Sequence, residues 1–265
     1  MNARKPFLAF AMLLLAAFLL NAQQEIPMFF GNELGFTTNN RYSKLAYSPD
    51  GSKIATIFNE DKIVIWNATT GREIARLSGH DSHSISVIVF SPDSRLLASC
   101  SKYSSNIRIW DATSGALMRS INQAGMVEVL FNPDSNHLVG RYFEGNVSNG
   151  IKVWNLTNGS EILKFSGRFL SVAYSPDGKR ILAVSQDSNA ILILDANNGQ
   201  IIRTINNSNN SYFEKAIYIP NGRNIAANDW NEETDFETMR IYMAETGQEI
   251  RSISINNYLN PYKNN

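Results

Sequence analysis

A short turn built around proline recurs five times along this chain at almost constant spacing. In each copy the proline is followed by Asp or Asn and then by Gly or Ser, and successive copies begin 41 to 44 residues apart. Proline fixes φ, Asp or Asn closes a turn with its own side chain, and Gly accepts a positive φ, so each copy predicts a tight turn. The five turns begin at Ser48, Ser91, Asn132, Ser175 and Ile219.

Two further landmarks follow each proline turn in the same order. The later of the two is a Gly preceded by Thr, Ser or Asn, at Gly71, Gly115, Gly159, Gly199 and Gly247. Before it comes an apolar triplet, which reads Ile65-Trp66-Asn67, Ile109-Trp110-Asp111, Val153-Trp154-Asn155, Ile193-Leu194-Asp195 and Ile241-Tyr242-Met243. The fifth copy is the most divergent, and Met243 is expected where the tryptophan of other copies falls. Such ordered repetition indicates a repeat architecture.

The fourth copy shows most clearly what one repeat contains. Four short apolar runs, separated by turn residues, cover Ser171–Tyr174, Ile181–Ser185, Ala190–Leu194 and Ile201–Ile205. They are too short for helices and rich in Ile, Val and Leu, so they predict strands. Four strands in about 40–45 residues is the period of a propeller blade. The predicted units are 41–80, 83–123, 125–166, 168–206 and 212–255.

The expected fold is therefore an all-β β-propeller of about five four-stranded antiparallel blades, each supplying its own strands a to d. Propellers run from about 4 to 8 blades, so five can close a ring. An open arc with unpaired ends is the alternative. The b–c turns are expected to be long in the third unit (Glu144–Gly150) and in the fifth (Asp229–Thr238).

From Arg41 to Ile255 the three landmarks resemble those of the WD-repeat family of β-propellers. The resemblance implies that Trp66, Trp110 and Trp154 are structural repeat positions that anchor the outer part of each blade. It also implies that His80, in a Gly-His pair, joins a network with a strand-b Ser or Thr, a b–c turn Asp and the Trp. That pattern is incomplete here, because the turn position holds Glu60, Ser104, Ser148, Ser188 or Glu237.

The two ends of the chain lie outside the repeats. Arg4 and Lys5 precede an apolar run of 14 residues, Phe7–Leu20, which Asn21-Ala22 follows. This pattern predicts a secretory signal peptide over residues 1–22. An uncleaved anchor is less favoured, because a span needs roughly 20 residues. We therefore expect an exported protein, periplasmic or extracellular, without a membrane span after cleavage. Residues 23–40 form an N-terminal segment that could complete a blade, and 256–265 a polar tail.

Composition and motifs do not indicate catalysis. The 24 basic residues balance 24 acidic ones, so no nucleic-acid partner is predicted. Cys100 is the single cysteine and is interpreted as a small core residue. His80 and His83 lack a third metal ligand at recognisable spacing. The acidic residues Glu232, Glu233, Asp235 and Glu237 lack calcium-loop spacing and are interpreted as a solvated loop. We therefore predict no catalytic residue, no metal and no cofactor.

The family's topology implies that the d–a and b–c loops gather at one end of the blades. Aromatic residues in such loops are typical interface anchors, although about half of them are expected to pack inward. The candidates are His83, Tyr103, Tyr142, Phe143, Phe169, Tyr212, Phe213 and Trp230. We expect a non-catalytic scaffold that binds another protein or peptide through this end. The alternatives are a carbohydrate or small-ligand binding propeller and a secreted propeller hydrolase.

Overall fold

The computed structural model describes residues 45–58, 61–80, 85–101, 105–144, 148–207, 211–231 and 236–254. Within these ranges all regular structure is β, with twenty strands in five four-stranded antiparallel sheets and no helix. The expected fold class is confirmed. The predicted signal peptide, the segment 23–40, the tail 256–265, His83 and Tyr103 lie outside the described residues.

Strand order in every sheet follows chain order, so each repeat supplies all four strands of one blade. Blade 1 contains β1 Leu45–Tyr47, β2 Lys53–Phe58, β3 Lys62–Asn67 and β4 Glu73–Leu77. Blade 2 contains β5 Val87–Phe90, β6 Leu96–Cys100, β7 Asn106–Asp111 and β8 Leu117–Asn122. Blade 3 contains β9 Met126–Phe131, β10 His137–Glu144, β11 Ser148–Asn155 and β12 Glu161–Ser166. Blade 4 contains β13 Phe169–Tyr174, β14 Arg180–Ser185, β15 Ala190–Asp195 and β16 Ile201–Asn206. Blade 5 contains β17 Ser211–Tyr218, β18 Asn224–Asn231, β19 Phe236–Met243 and β20 Glu249–Ser254.

The described residues form two compact units, one with blades 1 to 3 and one with blades 4 and 5. Within each unit, neighbouring blades share an apolar core. Trp110 of blade 2 packs into one core with Ile65 of blade 1, and Trp154 of blade 3 packs into another with Ile107 of blade 2. Phe213 of blade 5 shares a core with strands b and c of blade 4. A sheet with two apolar faces has to be covered on both sides, and stacked neighbours provide that cover.

The proline turns also connect neighbouring blades. Gly51 has a φ of 69°, and Ser94 and Ser135 occupy the equivalent place in blades 2 and 3 with a φ of 62°. A left-handed backbone costs a non-glycine residue about 1–2 kcal/mol. In return, the Ser94 hydroxyl accepts a hydrogen bond from the Asp50 N–H at 3.1 Å, and the Ser135 hydroxyl accepts one from the Asp93 N–H at 3.3 Å.

In every blade, the outer strand d contains a bulge opposite the apolar triplet of strand c. In blade 2, Trp110 lies opposite Leu117 and Ile109 lies opposite Arg119, which leaves Met118 without a partner. A bulge bends the strand and discourages pairing with another edge. The same shift occurs in all five blades. The extra residue is always apolar: Ile74, Met118, Ile162, Ile202 and Ile250.

The register corrects two expectations. Glu144–Gly150 and Asp229–Thr238 were expected to be long turns, but strands β10, β11, β18 and β19 extend into both ranges. Blades 3 and 5 therefore carry longer hairpins rather than longer loops. The second correction concerns the fifth triplet. Tyr242 lies opposite Ile225, as Trp110 lies opposite Leu97, so Tyr242 and not Met243 occupies the tryptophan position.

Candidate functional site

In each blade the b–c turn and the exit of strand d lie at one end, which we call the loop end. The proline and glycine turns lie at the other end because the strands alternate in direction. Blade 5 extends furthest at the loop end within its unit, since β17, β18 and β19 have 8 residues each and the strands of blade 4 have 6. The loop end of these three strands is the tip of blade 5.

One face of this tip carries an aromatic pair. Tyr212 lies directly opposite Trp230, which in turn lies opposite Glu237. Opposing residues of neighbouring strands place their side chains on the same face, about 5 Å apart at Cβ. Tyr212 is 51% exposed, and Trp230 is half-buried. Both aromatic side chains were candidate contact residues in the sequence, and the register brings them together.

A bulge places a carboxylate beside the same pair. Glu214 is the extra residue where the register shifts between Phe213 and Lys215, and it is exposed. Its Oε2 accepts a hydrogen bond from Asn228 Nδ2 at 3.3 Å. Asn228 lies two residues before Trp230 on β18, so it shares the face of the aromatic pair. The carboxylate of Glu214 therefore lies on this face.

The opposite face of the tip is a buried polar network. Asp229 is 1% exposed, and its Oδ2 accepts hydrogen bonds from Arg240 Nε and Ser211 Oγ, both at 2.7 Å. Arg240 Nη1 also donates to Glu249 at 3.1 Å. Burial opposes the charge on Arg240, but the hydrogen bond and charge of Asp229 outweigh it and raise the pKa of the guanidinium. The guanidinium of Arg240 thus lies between two carboxylates, and the network joins all four strands of the blade.

Blade 4 also fixes the tip. Asn189, in its b–c turn, donates from Nδ2 to the Ser211 carbonyl at 2.7 Å. Asn189 Oδ1 accepts a hydrogen bond from the Phe213 N–H at 3.2 Å. Phe213 itself is only 1% exposed. The start of β17 is thus held on one side by a neighbouring blade, while Tyr212 between these contacts remains exposed.

Other predicted contact residues are placed differently. Tyr142 and Phe169 are buried, at 3% and 5% exposure, so with Phe213 they pack inward. The Tyr142 ring covers Gly150, where a Cβ would meet ring atom Cζ at 2.6 Å. Lys152 Nζ lies 5.2 Å from the centre of the same ring. Phe143 is half-buried, and its N–H donates to the Gly125 carbonyl at 2.9 Å.

Sequence reasoning missed one exposed aromatic residue at the loop end. Phe58 is the last residue of β2 and is 49% exposed. The sequence feature that could have identified Phe58 is its position immediately before the short b–c turn of the first repeat. It is separated along the chain from the blade 5 tip and belongs to the other compact unit.

In blades 1 and 2, the tryptophan that was predicted to be a structural position donates a hydrogen bond to a hydroxyl on strand b. Trp110 Nε1 donates to Ser99 Oγ at 2.8 Å, and His80 Nε2 lies 2.6 Å from the same oxygen. In blade 1, Trp66 Nε1 donates to Thr56 Oγ1 at 2.8 Å. In blade 3 the equivalent position is Gly140, where an added Cβ would clash with the Met126 methyl. Strand b of blade 3 therefore has no side-chain hydroxyl at this position, and the Met126 methyl and the Trp154 ring pack close to Gly140 instead.

Other candidate chemistry has little support in the described part of the chain. Cys100 is fully buried in the core shared by blades 2 and 3. Over the described ranges, no group of three His, Cys, Asp or Glu side chains is arranged to hold a metal ion. The same ranges contain no helix of the length and apolarity that a membrane crossing requires.

Comparison with known proteins gives two family matches. The model described as "WD domain, G-beta repeat" matches residues 71–111. The model described as "Anaphase-promoting complex subunit 4 WD40 domain" matches residues 146–233. Together they fall on parts of blades 1 to 5, and each covers less than half of the chain.

Several curated proteins are similar to the chain. It is 26% identical over 185 residues to the transcriptional corepressor LEUNIG_HOMOLOG of Arabidopsis thaliana, covering 69% of this chain and 23% of that protein. It is 30% identical over 200 residues to an uncharacterized WD repeat-containing protein of Synechocystis, covering 59% and 57%. It is 28% identical over 149 residues to Protein FIZZY-RELATED 3 of A. thaliana, covering 54% and 30%. The chain thus spans between 23% and 57% of these relatives' lengths.

The sequence landmarks, the five four-stranded blades and the family matches agree with one another. The chain contains WD repeats, as both matching models and the three repeated landmarks indicate.

Proposed function

We propose that this protein is a scaffold that binds another protein through the tip of blade 5. The observation that carries the proposal is the exposed Tyr212, 51% accessible, directly opposite Trp230 on a hairpin whose other face is buried. Tyr and Trp are enriched among the residues that dominate binding energy at interfaces. A preorganised surface also loses less entropy on binding.

The comparisons support an interaction role. One matching model describes a domain of a complex subunit, and one relative is named as a transcriptional corepressor. Within the proposal, the chain is non-catalytic. Its most reactive described side chains support that, because Cys100 is fully buried and His80 takes part in a buried contact with Ser99.

The binding proposal is tested by crosslinking and capture from the fraction in which the protein naturally occurs. Tyr212→Ala should abolish or strongly reduce capture of a specific protein. Tyr47→Ala is the matched control, because Tyr47 is 46% exposed but lies at the proline-turn end of blade 1. Equal capture by wild type and Tyr212→Ala, or no specific protein with the wild type, would overturn the proposal.

The aromatic pair also suits a sugar ring, so a carbohydrate ligand is the second candidate. Binding of the purified protein to an array of glycans, lost in Tyr212→Ala and kept in Tyr47→Ala, would favour it. A hydrolase activity has no comparable support among the described side chains.

We also propose that the protein is exported. Support comes from the basic residues, the apolar run and the small residue at Ala22 in the sequence. Mass spectrometry of the protein recovered from a bacterial envelope should show a new N-terminus at Gln23. A chain that keeps Met1 and stays in the cytoplasm would contradict export.

A further inference from the structure

We infer that the tip of blade 5 binds a basic segment of its partner, in which Lys or Arg side chains contact the Tyr212–Trp230 pair and the carboxylate of Glu214. This inference rests on the proposed function and adds the chemical class of the partner. It depends on three features of the tip, namely its charges, its aromatic face and its rigidity.

The charges of the tip favour a cation. Glu214 and Glu237 lie beside the aromatic pair, and Lys215, opposite Asn228, is the basic residue on the same face. Over the described residues of the tip and its buried network, the carboxylates Glu214, Asp229 and Glu237 outnumber the basic side chains Lys215 and Arg240. This excess of negative charge would attract a basic segment and repel an acidic one.

The aromatic face favours the same ligand. The face of a Tyr or Trp ring attracts an ammonium or guanidinium group within about 6 Å of its centre. Two contacts of this kind occur within the chain. Lys152 Nζ lies 5.2 Å from the centre of the Tyr142 ring, and Arg108 Cζ lies 5.9 Å from the centre of the Trp110 ring. In both cases the contact is made within one blade. At the tip of blade 5, Tyr212 presents its ring to solvent instead.

The tip is held in place without the ligand. Asn189 makes two hydrogen bonds to the backbone of Ser211 and Phe213, on either side of Tyr212. Asp229 joins β18 to Ser211 of β17 and to Arg240 of β19. The aromatic pair and Glu214 therefore keep their positions, and binding need not order the strands that carry them.

The test uses the full chain and two labelled nine-residue peptides, one of alternating Arg and Gly and one of alternating Glu and Gly. Fluorescence anisotropy should show binding of the basic peptide, and none of the acidic one. Tyr212→Ala should weaken binding about fivefold, the upper range for an exposed cation–π contact. Glu214→Lys should weaken it about tenfold at low salt, with the difference largely lost near 1 M salt.

Matched controls separate the tip from general electrostatics. Glu245 is exposed in the c–d turn of the same blade, at the opposite end, so Glu245→Lys changes the net charge equally and should leave binding unchanged. Tyr47→Ala should also bind like the wild type. Glu214→Gln, which keeps shape and the acceptor for Asn228, should give an intermediate loss. Circular dichroism establishes that every variant keeps its sheets.

Two results would overturn the inference. One is that the wild type binds the basic and the acidic peptide with equal affinity. The other is that the basic peptide binds Tyr212→Ala and Glu214→Lys with the same affinity as the wild type. Either result leaves the proposed function intact if the capture experiment still depends on Tyr212. Failure of capture with the wild type, by contrast, removes the proposed function itself.

Discussion

At the scale of single residues, positions with a positive φ show how the repeats balance strain against contacts. Ser94 and Ser135 adopt a φ of 62°, where Gly51, Gly178 and Gly222 stand in the other blades. Their hydroxyls accept hydrogen bonds from the proline turn of the preceding blade. A net hydrogen bond contributes about 0.5–1.5 kcal/mol, which is comparable to the strain.

This balance predicts the outcome of substituting Gly222. A Cβ there would lie 3.7 Å from Pro176, so there is room for a side chain. In Gly222→Ser the new hydroxyl can accept from the Asp177 N–H, and stability should stay within about 1 kcal/mol of the wild type. Gly222→Ala has the strain without the hydrogen bond and should be less stable by about 1 kcal/mol than Gly222→Ser. Urea unfolding measures both, and equal stabilities would contradict the hydrogen bond.

The carboxylate of Asp50 predicts a loss of stability in acid. Burial opposes its ionisation, but hydrogen bonds from Ser48 and Ser52 outweigh burial and lower its pKa from 3.8 to about 2. A lowered folded pKa means that the unfolded chain binds the proton more tightly. The contribution is therefore complete above about pH 5 and is lost as the pH falls towards 2.

The measurement compares wild type with Asp50→Asn by urea unfolding from pH 6 to pH 2. The difference in the free energy of unfolding should shrink over the acid part of this range, because Asn keeps an acceptor oxygen but has no charge to lose. A difference that stays constant with pH would argue against the lowered pKa.

At the scale of secondary-structure elements, strand d of one blade contacts the c–d turn of the next. Arg119, on β8, donates from Nε to the Leu156 carbonyl at 3.0 Å and from Nη2 to the Thr157 carbonyl at 2.6 Å. Arg203 makes a similar contact from β16 to Thr246 at 3.1 Å. The arginine stems lie 3.1 Å from the place of a Cβ on Gly159 and Gly247. The glycine landmark therefore permits both the positive φ and the close approach of a neighbouring blade.

Removing this contact should destabilise the unit that contains blades 2 and 3. We expect Arg119→Ala to lower the free energy of unfolding by about 1–3 kcal/mol, because two charge-assisted hydrogen bonds are lost at a partly exposed site. Arg72→Ala is the control, since Arg72 is exposed in the c–d turn of blade 1. Thermal unfolding of both variants checks the prediction, and equal effects would contradict a specific contact.

At the scale of the whole molecule, stability in each unit is expected to depend on contacts between neighbouring blades. Trp110 and Trp154 each pack into the core shared with the preceding blade. Repeat proteins in which each unit contacts only its neighbours behave approximately as a sum of local and interface terms. A lesion in one blade should therefore spread to adjacent blades with decreasing strength.

Trp110→Ala tests this in the unit of blades 1 to 3. Trp110 is 3% exposed, so its removal should cost about 3–5 kcal/mol. Amide hydrogen exchange should lose most protection in blade 2 and less in blades 1 and 3. Trp66→Ala, at a half-buried ring, should cost less. Equal loss of protection in all three blades would instead indicate that they unfold as one cooperative unit.

Local sequence determined the blades because turns and strands are encoded by adjacent residues. Pro, Asp, Asn and Gly specify the turns, and short runs of Ile, Val and Leu specify the strands, so the five-fold period predicts all twenty strands of the described residues. Strand ends were harder to predict. In blades 3 and 5 the hairpins extend where polar residues suggested loops, because pairing across the hairpin overrides local polarity.

Tertiary structure decided which side chains reach solvent. The sequence placed Tyr142, Phe169, Tyr212 and Phe213 alike at the loop end, yet only Tyr212 of these four is exposed. The difference arises from the register and from the neighbouring blade, which covers Phe213 and leaves the adjacent residue free. The partnership of Asp229 with Arg240 has the same origin. Exposure depends on what packs against a residue from another part of the chain, and spacing along the sequence does not contain that information.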